Sequence, residues 1–435
     1  AGTATFVPTV TGVREHGIVG VGTVLVAAPR AQFEAAIMEA ERASNLPCPM
    51  SGGEWMRDSE SVRRSYLFST GTTEADIDTL IDYARVGGFG TIIFLKDDWL
   101  ANHGHFDINP RNFPSGLAGL QEAVRKIHAA GLEAGVHVFG PSISPNDPFI
   151  TPVPRRDLAS VALPPLAEAL TETSTTLAFT DVPNIPPQVW DYMGFPGHYV
   201  QIGDEIIAYD PQQMDGDRRY LNVTRGALGT RPAAYLAGTE TKGLLAMWGF
   251  LLPDPDSPLA EEVTTNFANV FNACDFDFVY FDASDGSGEP YIDRWYFLNK
   301  MHLMYYRKFK RDALYQTSMG TGSGLVWHLV PRSASADGHG DIKGYLDDRW
   351  PAILGMADNF TRADVGWYYW FSNVRPDQIE YVAAKVLGID GSISLETSRA
   401  ALESLPQSRQ MMESLGRWER CRRQGYFSEP IREKL

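Results

Sequence analysis

An aspartate at the tip of an apolar run is the residue of this sequence best placed to do chemistry. Phe278-Val279-Tyr280-Phe281 reads as a strand buried on both faces, and Asp282 follows it directly. A carboxylate there either caps the next loop or is presented to a cavity. Other acidic and aromatic residues fall where neighbouring strands should end: Lys96-Asp97-Asp98-Trp99, Asp285, Trp367 and Tyr368, and Glu396. A further β-like run at 326–330 carries Trp327 and is followed by Arg332, Asp337 and Asp341. Carboxylates and aromatic walls gathered on one rim fit cleavage of a glycosidic bond, where one group acts as nucleophile or base and another donates a proton. Asp282 is therefore the candidate catalytic residue. Asp97, Asp98, Trp99, His137, Asp285, Trp327, Arg332, Trp367 and Tyr368 are candidate substrate contacts. Asp97 and Asp98 are adjacent, so extended backbone would send one into the pocket and leave the other structural. Asp285 also reads as a cap for the following helix. His137, between apolar neighbours, reads equally as a core histidine.

The elements that must position these groups alternate. From residue 65, short β-rich runs are followed by amphipathic stretches, the pattern of parallel βα units. Strands are expected at 66–68, 91–95, 134–139, 276–281, 313–317, 326–330, 365–371 and 392–395. Helices are expected near 74–87, 116–130, 259–271, 291–307, 342–355, 376–388 and 398–418. About eight strands make a (β/α)8 barrel of the TIM type, whose reactive groups sit at the C-terminal strand ends. Between 151 and 245 the rhythm breaks into β-like runs with Gly- and Asp-rich turns, which implies a small antiparallel β module inserted after strand three. The expected division is an N-terminal extension over 1–64, the first part of the barrel over 65–150, the module over 151–245, and the remaining barrel with a closing helix over 246–435.

Composition narrows the partners. The net charge of −16 argues against nucleic acid and anionic membranes, where clustered Lys and Arg would supply affinity. No apolar run approaches the roughly 20 residues of a membrane span. Cys48, Cys274 and Cys421 share no close spacing, which excludes a thiolate zinc site. His103 and His105 have no third ligand at convincing spacing, so no metal is expected. No GxSxG elbow is present. Gly320 to Gly324 lacks the Lys-Ser/Thr of a phosphate loop. No cofactor is implied. The chain opens on Ala1-Gly2-Thr3 without a leader pattern.

Several motifs resemble one family. Lys96-Asp97-Asp98-Trp99, Gly104-His105-Phe106-Asp107, Asn112-Phe113-Pro114-Ser115-Gly116-Leu117, Ile127-His128-Ala129-Ala130-Gly131-Leu132 and Asp277-Phe278-Val279-Tyr280-Phe281-Asp282 are similar to segments of the retaining barrel α-galactosidases and α-N-acetylgalactosaminidases. The resemblance covers about half the chain, chiefly 65–150 and 275–285. It implies Asp282 as nucleophile, Asp337 as acid/base with Asp341 behind it, a carbohydrate substrate, and a secreted or periplasmic setting. Departures are plain: Tyr280 stands where the family has Lys, His137 where it has Trp, and its Ser-Gly-Gly-Gly-Arg segment is only echoed by 318–324. The resemblance therefore implies a distant member with an altered sugar preference. The module, through Gly203-Asp204 and Arg225-Gly226-Ala227-Leu228-Gly229-Thr230, looks like small β modules of phage tail and extracellular bacterial proteins.

Two other classes remain open. A polysaccharide lyase on uronic acids would use His137 or a Tyr as base, with Arg332 or Lys96 holding the substrate carboxylate. A non-catalytic glycan-binding barrel would keep Asp282 walled off from solvent.

Overall fold

Period-two alternation along apolar strands sets the architecture. A computed structural model describes residues 12, 16–20, 22–185, 198–209, 219–283, 294–318, 324–334, 341–370 and 374–435. It begins with α1 (Phe33–Ala43), a hairpin of β1 (Met50–Ser51) and β2 (Glu54–Trp55), and a single turn α2 (Glu60–Arg63). Ser59 caps that turn by accepting the Val62 N–H at 3.4 Å. The βα units follow: β3 (Tyr66–Ser69), α3 (Ile77–Gly87), β4 (Thr91–Phe94), the short turn α4 (Lys96–Trp99), α5 (Gly116–Ala129) and β5 (Glu133–Phe139).

Six antiparallel strands intervene: β6 (Ser160–Leu163), β7 (Thr176–Ala178), β8 (Tyr199–Ile202), β9 (Glu205–Tyr209), β10 (Tyr220–Thr224) and β11 (Thr241–Leu244), in the order β6-β11-β8-β9-β10-β7. Their apolar faces form a separate core around Leu177, Val200, Ile202, Ile207 and Leu221. Glu205 is fully buried there, and its carboxylate takes a two-pronged pair from Arg225 at 2.7 and 2.6 Å. The N–H groups of Gly226 and Ala233 donate to it as well. A buried charge so completely satisfied is structural.

A hairpin of β12 (Ala246–Met247) and β13 (Phe250–Leu251) returns the chain to the barrel. Then come α6 (Pro258–Cys274), β14 (Phe278–Asp282), α7 (Arg294–Lys308), β15 (Leu314–Thr317), α8 (Leu325–Leu329), β16 (Arg332–Ala334), α9 (Ile342–Asp358), β17 (Arg362–Tyr369), α10 (Pro376–Ile389), β18 (Ser392–Thr397), α11 (Arg399–Ser404) and α12 (Ser408–Arg423). The eight barrel strands are parallel and ordered β15-β14-β5-β4-β3-β18-β17-β16. The two ends of that order, consecutive in the chain, lie against each other. This is the (β/α)8 arrangement with the antiparallel module between its third and fourth strands.

Alternate residues serve two cores. Leu67, Ile92, Val136, Val279, Val365 and Ile393 face the surrounding helices. Tyr66, Phe68, Ile93, Phe278, Tyr280 and Leu314 fill the barrel interior, joined by Met56 and Val62 from the segment before the first barrel strand. That segment thus plugs the barrel base. Gly135 makes room for the filling, since a Cβ there would stand 2.7 Å from Ile93 Cγ2 and 2.9 Å from Phe278 Cβ.

Two expectations about elements are corrected. Residues 326–330 are not a strand: Val326 and Leu329, three apart, turn inward together on α8, and the sixth strand is the three-residue β16. The closing helix is two helices, because Pro406 cannot continue α11 and the chain restarts at Ser408. Cys48, Cys274 and Cys421 are all free thiols.

Candidate active site

The C-terminal ends of β4, β5 and β14 bring their inward side chains together. Tyr280 and His137 are register partners on neighbouring parallel strands, as are Asp282 and Phe139. Period two then stacks Asp282 above Tyr280 and Phe139 above His137 on the inner face. Asp282 sits at the open lip with its side chain 24% exposed. Tyr280 Oη donates to Asp282 Oδ1 at 3.3 Å, and His137 Nε2 lies 3.3 Å from Asp282 Oδ2. The backbone N–H of Lys96 points at His137 Nδ1, 3.4 Å away. With Nδ1 accepting, the ring proton belongs on Nε2, directed at the carboxylate. Burial lowers the His137 pKa, against the opposing pull of Asp282, which favours the neutral ring. Immediately after Asp282 the chain leaves the strand through Ala283 at φ +61°, a left-handed conformation that costs a non-glycine residue about 1 kcal/mol or more.

Lys96 and Asp97 form the neighbouring wall. Lys96 is buried, its ammonium 4.3 Å from the Phe139 ring centroid and bound to both Asp97 oxygens at 2.7 Å. Asp97 is 48% exposed. Asp98 turns the other way. It is buried, accepts the Thr72 N–H at 3.0 Å, and is pushed up to about 6 by burial, helped by the charge of Asp97. A cleft of about 220 Å³ opens beside the pair, lined among others by Asn102, His103, Ser144, Asn146 and Phe250. His103 is wholly buried. It accepts the Phe139 N–H at 3.1 Å, and burial holds its pKa far below the ordinary value. Phe250 belongs to the hairpin that leads out of the inserted module.

Four expected substrate contacts lie elsewhere. The helical turn α4, where an extended loop was expected, rotates Trp99 into the core, fully buried with its indole N–H on His137 O at 3.1 Å. Trp99 braces β5 from behind. Trp327 lies at the barrel base, its ring 4.3 Å from the Arg57 guanidinium and its N–H on Asn359 O at 3.1 Å. Arg332 begins β16 and is fully buried in the base, donating to Gln316 at 3.1 Å and to Arg64 O at 2.7 Å. Tyr368 faces α9, edge-on to Tyr345, because the register slips between Gly366 and Tyr368. Asp285 and Asp337 lie outside the described residues, as does the Trp367 side chain. Phe139 and Tyr280 are contacts that the sequence reading missed, and Lys96 entered it only as an anchor for a uronate. Tyr280 was nevertheless accessible, being two residues before Asp282 on one strand.

Glu396 also reaches this rim. It is the register partner of both Phe68 and Tyr369, and it continues the inward row of Ser392 and Ser394. No metal-ligating group of three or more acidic, His or Cys side chains exists among the described residues.

No protein-family model matches this chain, and no curated protein sequence matches it. Several solved structures are similar in fold. An α-galactosidase of glycoside hydrolase family 36 from Geobacillus stearothermophilus aligns at 12% identity and a TM-score of 0.46, over 83% of this chain and 42% of its own. The chain thus spans less than half the length of that enzyme. An α-galactosidase from Thermus thermophilus aligns at 13% identity and 0.46, covering 89% of this chain and 69% of that one. An α-amylase from Geobacillus thermoleovorans aligns at 9% identity and 0.49, covering 85% and 80%. These are distant likenesses of fold.

Proposed function

We propose that this chain is a glycoside hydrolase that cleaves a neutral oligo- or polysaccharide by a retaining double displacement. Asp282 is its nucleophile and Asp337 its acid/base. The observation that carries the reading is the Asp282 carboxylate at the open lip of the fourth barrel strand, each oxygen facing a neutral donor. An anion so held can approach an anomeric carbon without first shedding a tightly bound cation. Asp97 supplies acceptors for sugar hydroxyls, and the cleft beside it adds amide and hydroxyl groups over an apolar floor at Phe250.

The lyase alternative lacks its anchor for a uronate. Arg332 is buried at the barrel base, and Lys96 is already held by both Asp97 oxygens. His137, its proposed base, has one nitrogen on Asp282 and the other on the Lys96 N–H. The binding-only alternative requires an Asp282 shut off from solvent, whereas its side chain is partly exposed.

A screen of aryl α- and β-glycosides with the wild type and Asp282→Asn tests the proposal. One glycoside class should turn over with wild type, and the variant should lose roughly a thousandfold or more in kcat. Equal activity in both proteins would remove Asp282 from the mechanism.

A further inference from the structure

We infer that His137 is the positioning residue of Asp282: a neutral Nε2–H tautomer, fixed by the Lys96 backbone N–H, that aims one carboxylate oxygen while Tyr280 aims the other. The inference rests on the proposed role of Asp282 and deepens it. Its basis is geometric. The two ring nitrogens of His137 are engaged on opposite sides, by Lys96 N at 3.4 Å and Asp282 Oδ2 at 3.3 Å. The ring cannot rotate freely, since Phe68 packs at 5.2 Å, Tyr280 at 5.3 Å and Phe139 at 5.9 Å between centroids. Trp99 fixes the strand beneath by donating to the His137 carbonyl.

Burial, more than the charges facing it, keeps the ring uncharged. Lys96 on α4 and His103 on the following loop bring a positive charge and a second imidazole close to it, while Asp97 and Asp282 pull the other way. Tyr280 on β14 adds a neutral hydroxyl. Protonating Nδ1 would set two N–H groups against each other at the Lys96 contact, so the cation is disfavoured by geometry as well as by burial. The functional consequence is a nucleophile oriented by neutral hydrogen bonds. A cation in the same place would share the anion's charge and weaken its attack.

The test has two independent readouts. In ¹⁵N-histidine-labelled protein at pH 7, the resonances lost in His137→Gln should be those of a neutral ring protonated on Nε2. An imidazolium, or a ring protonated on Nδ1, would overturn the inference. In kinetics on the glycoside found by the screen, His137→Phe should keep KM within about threefold and lower kcat about ten- to a hundredfold, the scale of one hydrogen bond to a charged group. His137→Gln, whose amide N–H reaches the Nε2 position, should recover part of that loss. Near-wild-type kcat in His137→Phe would also overturn the inference, because a ring needed only for packing is replaced there by another ring. A wild type with no glycosidase activity but the Nε2–H signature would sink the hydrolase reading and leave the carboxylate lock standing.

Discussion

Asp97 and Asp98 show how far two adjacent carboxylates diverge in fate. Asp97 keeps contact with water and holds Lys96, while Asp98 is buried against the loop at Thr72. Burial raises the Asp98 pKa from 3.8 to about 6, with the negative charge of Asp97 adding to it and the Thr72 and Gly71 N–H groups opposing it. The fold therefore favours the protonated acid. Its contribution to stability is full below about pH 4 and is lost as the pH rises through about 6. Asp98→Asn keeps the carbonyl acceptor for Thr72 and cannot ionise. Thermal melts at pH 4 and pH 8 should show the variant gaining on the wild type by on the order of 2 kcal/mol between the two. A gap independent of pH would mean that Asp98 ionises freely in the fold.

At the scale of elements, the barrel has a structural end and a reactive end, and both carry polar residues. The interior below the rim holds Arg332 with Gln316, and Asp364 with Tyr66 and Ser392, all buried among the strands that carry Phe278 and Leu314. Burial pushes the Asp364 carboxyl up, and the Arg332 charge opposes it. Arg332→Met should destabilise the protein by about 3 kcal/mol, because a buried carboxylate loses its compensating charge. Below the melting range its kcat and KM on a turned-over glycoside should match wild type. A raised KM would return Arg332 to the substrate site.

The same contrast explains what could be read from sequence. The strand before Asp282 was legible because a parallel strand buried on both faces is apolar throughout, so its polar end stands out. β16 was illegible: three residues carry no period, and the apolar run just before it satisfies a helix instead. Trp99 and Tyr368 were placed by assuming extended backbone, and a helical turn in one case and a register slip in the other redirected them. The pairing of His137 with Asp282 joins residues 145 positions apart and depends on strand register, which no local pattern encodes.

As a whole molecule, the chain places Asp282, Tyr280, His137, Lys96 and Asp97 at one mouth. The inserted module departs after β5 and returns through a hairpin whose Phe250 lines the cleft, with Leu251 bonded to Ile143 across it at 2.7 and 3.0 Å. The module is thus anchored at the rim. A net charge of −16 leaves little to attract a polyanion, in keeping with an uncharged glycan as substrate. The most direct measurement is trapping with a 2-deoxy-2-fluoro glycoside of whichever sugar the wild type turns over, followed by mass analysis of its peptides. A retaining enzyme of the proposed kind should carry one glycosyl group as an ester on the peptide containing Asp282. A label on a different carboxylate, or steady turnover of the trapping reagent with no covalent adduct at any time point, would contradict the assignment.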